Sequence, residues 1–180
     1  MKFLIIFFIS VSLYSDIKNN IYELYQNKRY KEACSMGMRH FTKYKNDEQY
    51  ISLYAFSCLE ADYLDRLATP LTKLKFSSEA RKNSAYFSII LMQKKLLYHA
   101  LVDGQELKEF NFPTTDYILS KVFDLYSKSS DNKNKSYYLF EDKENKDLSY
   151  KLYLLKGSGL SKMIIEEIYN NKIIKQHKYW

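Results

Sequence analysis

The chain has 180 residues, with 28 Lys+Arg against 21 Asp+Glu and a formal net charge of +7. That length fits one domain, or one domain with a small appendage, and 46% hydrophobic residues supply a core and exclude a wholly disordered chain. Gly (4) and Pro (2) are scarce, which argues against a turn-rich all-β fold and against several glycine phosphate loops.

Met1-Lys2 precede the apolar run Phe3–Leu13, which Tyr14, Ser15 and Asp16 close. One positive charge, a short apolar run and a small residue describe a secretory signal peptide. The run is too short for a spanning helix, which needs roughly 20 residues. Cleavage is expected after Ser15, with Ser12 as the alternative, and the mature chain is expected in the periplasm or outside the cell. Abundant Lys, Asn, Ile and Tyr match the codon bias of AT-rich bacterial genomes, so part of the basic balance is compositional.

Residues 16–129 read as helices. Ile17, Ile21, Leu24 and Tyr25 recur at helical steps, with Asp16 as a candidate cap. Asn27-Lys28-Arg29 breaks the pattern, and Tyr30, Ala33, Cys34, Gly37, Met38 and Phe41 mark a second helix. After the polar turn Lys43–Asp47, Tyr50 to Leu59 mark a third. Ala61-Asp62 breaks again, and Tyr63 to Leu74 read as a fourth. Ser78 or Asn83 to Val102 reads as a long fifth helix, ended by Asp103-Gly104. A sixth follows Phe112-Pro113-Thr114-Thr115-Asp116, with Thr114 or Thr115 capping and Ile118, Leu119, Val122, Phe123, Leu125 and Tyr126 as its apolar face. Residues 130–149 read as a polar linker.

Residues 150–180 differ in character. Tyr150, Leu152 and Leu154 alternate with Lys151, Tyr153 and Leu155. Asn170-Asn171 suits a tight hairpin between Met163–Tyr169 and Ile173–Tyr179. A small antiparallel meander is expected. A helix over 161–170, capped by Ser161 with Leu160 stapled on Ile165, stays open.

Tyr30-Lys31-Glu32-Ala33 precedes Leu64-Asp65-Arg66-Leu67 by 34 residues. A helix–turn–helix unit of that length resembles the tetratricopeptide repeat, whose units bury their apolar faces by stacking. The resemblance covers about residues 16–80. It places Tyr30 at the family's aromatic position after the turn, Ala33 at its small-residue position and Ala55 at its glycine position, with Leu64 and Leu67 as repeat-packing residues. The chain departs from the family pattern at Ile21, His40 and Leu67, and no proline closes the first unit. The resemblance implies a scaffold that binds other proteins, as in envelope complexes such as flagellar motors.

Cys34 and Cys58 lie equally far from the turn near Asn46, on apolar faces of successive helices. In an antiparallel hairpin such residues meet, and an exported chain favours a disulfide. A catalytic redox pair does not fit, since no C-x-x-C is present.

His40, His99 and His177 lie in different elements, and no zinc spacing, nucleophile elbow or phosphate loop occurs. No catalytic residue, metal ligand or cofactor is assigned. The mixed charges over 131–151 read as solvated. Lys172, Lys175, His177, Lys178, Tyr179 and Trp180 form a basic, aromatic run that could meet an anionic partner such as a membrane surface or wall polymer. Nucleic acid is not expected with four arginines in an exported protein.

The expectation is a mainly α, exported, non-catalytic interaction module with protein partners in the bacterial envelope. Two other classes stay open. One is a small enzyme or ligand carrier in which His99 or His177 meets a carboxylate between helices and tail. The other is a structural protein held to the envelope by its basic tail.

Overall fold

A computed structural model describes residues 17–107, 112–129 and 135–180. The expected signal segment 1–15 and the Asp16 cap lie outside the described residues. Six α-helices precede a four-stranded antiparallel sheet of order β1-β2-β3-β4. The helices are α1 (Ile17–Gln26), α2 (Tyr30–Tyr44), α3 (Glu48–Glu60), α4 (Ala68–Leu71), α5 (Ser78–Asp103) and α6 (Ile118–Lys128). The strands are β1 (Tyr138–Glu141), β2 (Leu148–Leu155), β3 (Lys162–Tyr169) and β4 (Lys172–Tyr179).

α2 and α3 form the expected antiparallel hairpin. Asp47 caps α3, accepting the N–H groups of Gln49 and Tyr50 at 3.0 Å, and Lys18 of α1 reaches the same carboxylate at 2.8 Å. A disulfide joins Cys34 to Cys58 with Cα atoms 4.7 Å apart. The helices approach closely where a Cβ on Gly37 would stand 2.5 Å from Tyr54 Cδ2, and the Tyr50 hydroxyl donates to the Gly37 carbonyl at 2.7 Å. Ala33, Ala55, Leu64 and Leu67 are fully buried. Tyr30 is half-buried, its ring edge-on to Tyr25.

α1 and α3 end alike. Lys28 donates to the Tyr25 carbonyl and Arg29 to that of Leu24; Asp62 donates to Leu59 and Tyr63 to Cys58. This is the Schellman pattern, with Lys28 at φ 58° and Asp62 at φ 63°. The two left-handed residues lie 34 positions apart, the spacing seen in the sequence.

The expected fourth helix, Tyr63 to Leu74, is broken. Leu64–Leu67 is a 3₁₀ turn followed by the single α-helical turn α4. Pro70 has no N–H to offer the Arg66 carbonyl, so one continuous α-helix cannot run through it. The chain then turns on Glu48, whose carboxylate accepts the N–H groups of Lys75, Phe76 and Ser77 at 2.7–2.9 Å. Those bonds, with Phe76 foremost, hold Glu48 down at about 2. α5 follows the expected limits, capped by the Ser77 hydroxyl and ended by Gly104 at φ 76°. α6 starts at Ile118, later than the Thr cap predicts: Tyr117 is the N-cap residue and, lacking a short polar side chain, gives no side-chain cap, while Thr115 accepts the Tyr117 N–H at 3.4 Å.

The sheet begins at Tyr138, inside the segment expected to be linker. Tyr138 and Phe140 face the core while Leu139 and Glu141 face away, a pattern too short to stand out among lysines and acids. Residues 142–147 are the β1–β2 loop, tied by Asp142 to the Glu144 and Asn145 N–H groups at 2.9 Å. Residues 162–169 are strand β3, which settles the open alternative. Asn170 and Asn171, at φ 47° and 62°, make the expected two-residue hairpin turn. Tyr138, Tyr150, Leu152, Met163, Ile165 and Tyr179 face inward and join one core with the helices.

Candidate functional site

Where the sheet meets the helices, Asp62, Tyr117, Glu167, His177 and Tyr179 converge from three regions of the chain. The Schellman turn aims Asp62 off the end of α3. Alternation along β4 turns His177 and Tyr179 inward, and cross-strand pairing sets Ile165 opposite His177 and Glu167 opposite Lys175. Tyr117 enters from the start of α6.

His177 is 2% exposed. Its Nδ1 lies 2.8 and 3.0 Å from the two Asp62 oxygens, and its Nε2 lies 2.9 Å from Glu167 Oε1. Two carboxylates require two N–H donors, so the ring is an imidazolium. Burial works against that charge, but the bonds to Asp62 and Glu167 outweigh it and raise His177 above its ordinary 6.5. The same bond to His177 holds Glu167 below the usual glutamate range against the effect of burial. Asp62 Oδ1 also accepts from the Tyr117 and Tyr179 hydroxyls at 2.8 and 3.0 Å. Those hydroxyls lie 3.1 Å apart. Burial, then the negative charge of Asp62, pushes Tyr117 well above its ordinary 10 although its bond with Tyr179 works the other way; burial, then the neighbouring Tyr117 and Asp62, does the same for Tyr179.

A second tie lies beside it. Lys94 of α5 is 1% exposed. It donates to Asp65 at 2.5 Å and to the main-chain oxygen of Trp180.

Chemically, the cluster is closed. The imidazolium has no free lone pair to take a proton, and both cysteines are consumed in the disulfide. A hollow of about 200 Å³ opens beside it, lined by Glu60, Tyr86, Asp116, Tyr117, Ile118, Glu167, Lys175 and His177; that is below the size of ordinary small-molecule sites. No group of three metal-ligating side chains occurs among the described residues.

The structure splits the basic tail. His177 and Tyr179 are buried in the junction, whereas Lys172, Lys175, Lys178 and Trp180 are exposed. The six residues expected to form one anion-binding surface therefore do not share a face, because a strand alternates. His99 makes only an exposed 3.7 Å contact with Asp103. Sequence reasoning missed Asp62, Tyr117 and Glu167. The one available signal for Asp62 was an acid in the turn after a helix, where Gly or Asn is usual.

No family model, curated protein or solved structure matches the chain.

Proposed function

We propose that the protein is an exported, non-catalytic protein–protein interaction module of tetratricopeptide-like build, serving as a scaffold or assembly factor in a bacterial envelope structure. The observation that carries this reading is the placing of apolar surface. Of 13 exposed large apolar side chains among the described residues, eight lie between Tyr137 and Trp180. Exposed apolar surface concentrated in one part of a chain supports a binding partner that covers it. The Cys34–Cys58 disulfide supports an oxidising compartment. The 34-residue recurrence of the left-handed helix end supports a repeated helix hairpin. Both nitrogens of His177 are spent on internal contacts, which weighs against acid–base catalysis at the junction.

The test is crosslinking of the protein in intact exporting cells, followed by non-reducing purification and mass spectrometry. Reproducible recovery of one envelope complex supports the module. A monomer without partners, from cells in which the protein is abundant and exported, overturns it.

A further inference from the structure

The sheet has a second face, turned away from the helices. Pairing across the strands sets it out in rows: Leu155 with Lys162; Tyr153 with Ile164 and Lys178; Leu139 with Lys151, Glu166 and Gln176. Trp180 follows the inward Tyr179, one residue past the end of β4. None of these side chains belongs to the core that the inner face shares with the helices. Leu139, Leu155 and Trp180 are 60%, 50% and 47% exposed.

The charges on this face are one-sided. Lys162 and Lys178 are exposed. Lys151 is held in the middle, its ammonium 5.0 and 5.4 Å from the ring centres of Tyr137 and Tyr153. The central acid, Glu166, is 6% exposed and is occupied by the Tyr153 hydroxyl at 2.9 Å and the Gln176 amide at 3.0 Å. It offers little negative charge outward. Glu141, at one corner, is the other acid on the face.

We propose that this outer face docks an acidic, extended polypeptide segment of the partner, one in which carboxylates alternate with apolar side chains. This rests on the interaction-module reading and deepens it. Alternation matches the face, where lysines and apolar groups interleave row by row. An extended acidic segment sets its carboxylates on Lys151, Lys162 and Lys178 and its apolar side chains among Leu139, Tyr153 and Leu155. A second copy of the chain is the wrong occupant, because it would set lysine against lysine. A lipid surface fits less well. Membrane-binding faces segregate an apolar front from a basic rim, whereas here Lys151 is fixed in the centre, where a carboxylate can pair with it.

Trp180 is the chain's single tryptophan, half-exposed at the end of β4 beside Lys178, so its emission reports on the end of the sheet where Lys178 stands. The purified, oxidised protein is titrated with a synthetic peptide of alternating Glu and Val, with a Lys–Val peptide of equal length, and with vesicles containing anionic phosphatidylglycerol. The Glu–Val peptide is expected to shift Trp180 emission to the blue with an affinity that falls as salt rises, while the Lys–Val peptide leaves it unchanged. The double variant Lys162→Glu/Lys178→Glu changes two exposed side chains and is expected to lose at least about tenfold in affinity, with its unfolding curve unchanged. Equal affinity in the variant overturns the proposal, as does a response to vesicles without one to the acidic peptide. Partner crosslinks that map to the helices alone in cells overturn the docking face and leave the module standing.

Discussion

Lys28 and Asp62 hold the same backbone position at two helix ends, and neither is glycine. A non-glycine residue at positive φ costs on the order of 1 kcal/mol. At Lys28 nothing in the structure repays that strain, so Lys28→Gly is expected to stabilise by up to about 1 kcal/mol in urea unfolding. At Asp62 the strain aims a carboxylate at His177, Tyr117 and Tyr179. Asp62→Gly relieves the same backbone yet is expected to destabilise by about 3 kcal/mol, the usual result of stripping a buried charge of its partner. Equal signs for the two variants would show that the junction contributes nothing. His177 adds a pH signature. Its folded value lies above its ordinary 6.5, so its contribution is complete below about that pH and is lost as pH climbs through the raised value. Glu167 is held below 4.5, and its contribution fades as pH falls. Unfolding free energy measured against pH should therefore decline as pH rises from about 6.5 through the raised value, and His177→Gln should remove that decline. A wild-type profile matching the variant's over that rise would exclude a charged His177. The sequence offered His99 or His177 meeting a carboxylate between helices and tail, but it did not name the acid. A lone acid in a turn reads as solvated, and its partners lie 55 to 117 residues downstream.

Local elements were easier to read, because their signals are local. The Cys34–Cys58 bond followed from equal spacing about a turn, the end of α5 from Asp103-Gly104, and the last hairpin from Asn170-Asn171. Reading failed where a competing constraint intervened. Pro70 broke a helix whose apolar positions were otherwise regular. α6 began after Tyr117 and not after Thr114 or Thr115, and β1 was too short to show a period. Two substitutions test the α2–α3 hairpin. Removing the disulfide through Cys34→Ala/Cys58→Ala is expected to cost about 3 kcal/mol. Gly37→Ala raises helix propensity by about 1 kcal/mol, yet its methyl would stand 2.5 Å from Tyr54. Over-packing is expected to prevail with a net loss of about 1–2 kcal/mol, read from the urea midpoint. A net gain would mean that the two helices separate freely.

At the scale of the molecule, two locally built units are joined by distant contacts. Each unit forms through neighbours in sequence: a disulfide-tied helix hairpin and a four-strand meander. Their seam depends on Asp62 finding His177 and Tyr179, and on Lys94 finding Trp180. The exposed outer face of the sheet lies on the second unit, so what the protein presents to a partner depends on how firmly that seam holds the sheet.

The order in which the chain becomes available gives the seam a further meaning. Asp62 is synthesised 115 residues ahead of His177, and the helical unit can assemble while its carboxylate is still in water. We expect docking of the meander to come last, after the transition state for folding, and to be the first contact undone. Substitutions at His177 should accordingly quicken unfolding and leave the folding rate nearly unchanged, as stopped-flow measurements in urea would register. On that order, the buried His177 contacts act on the lifetime of the native protein more than on its rate of formation.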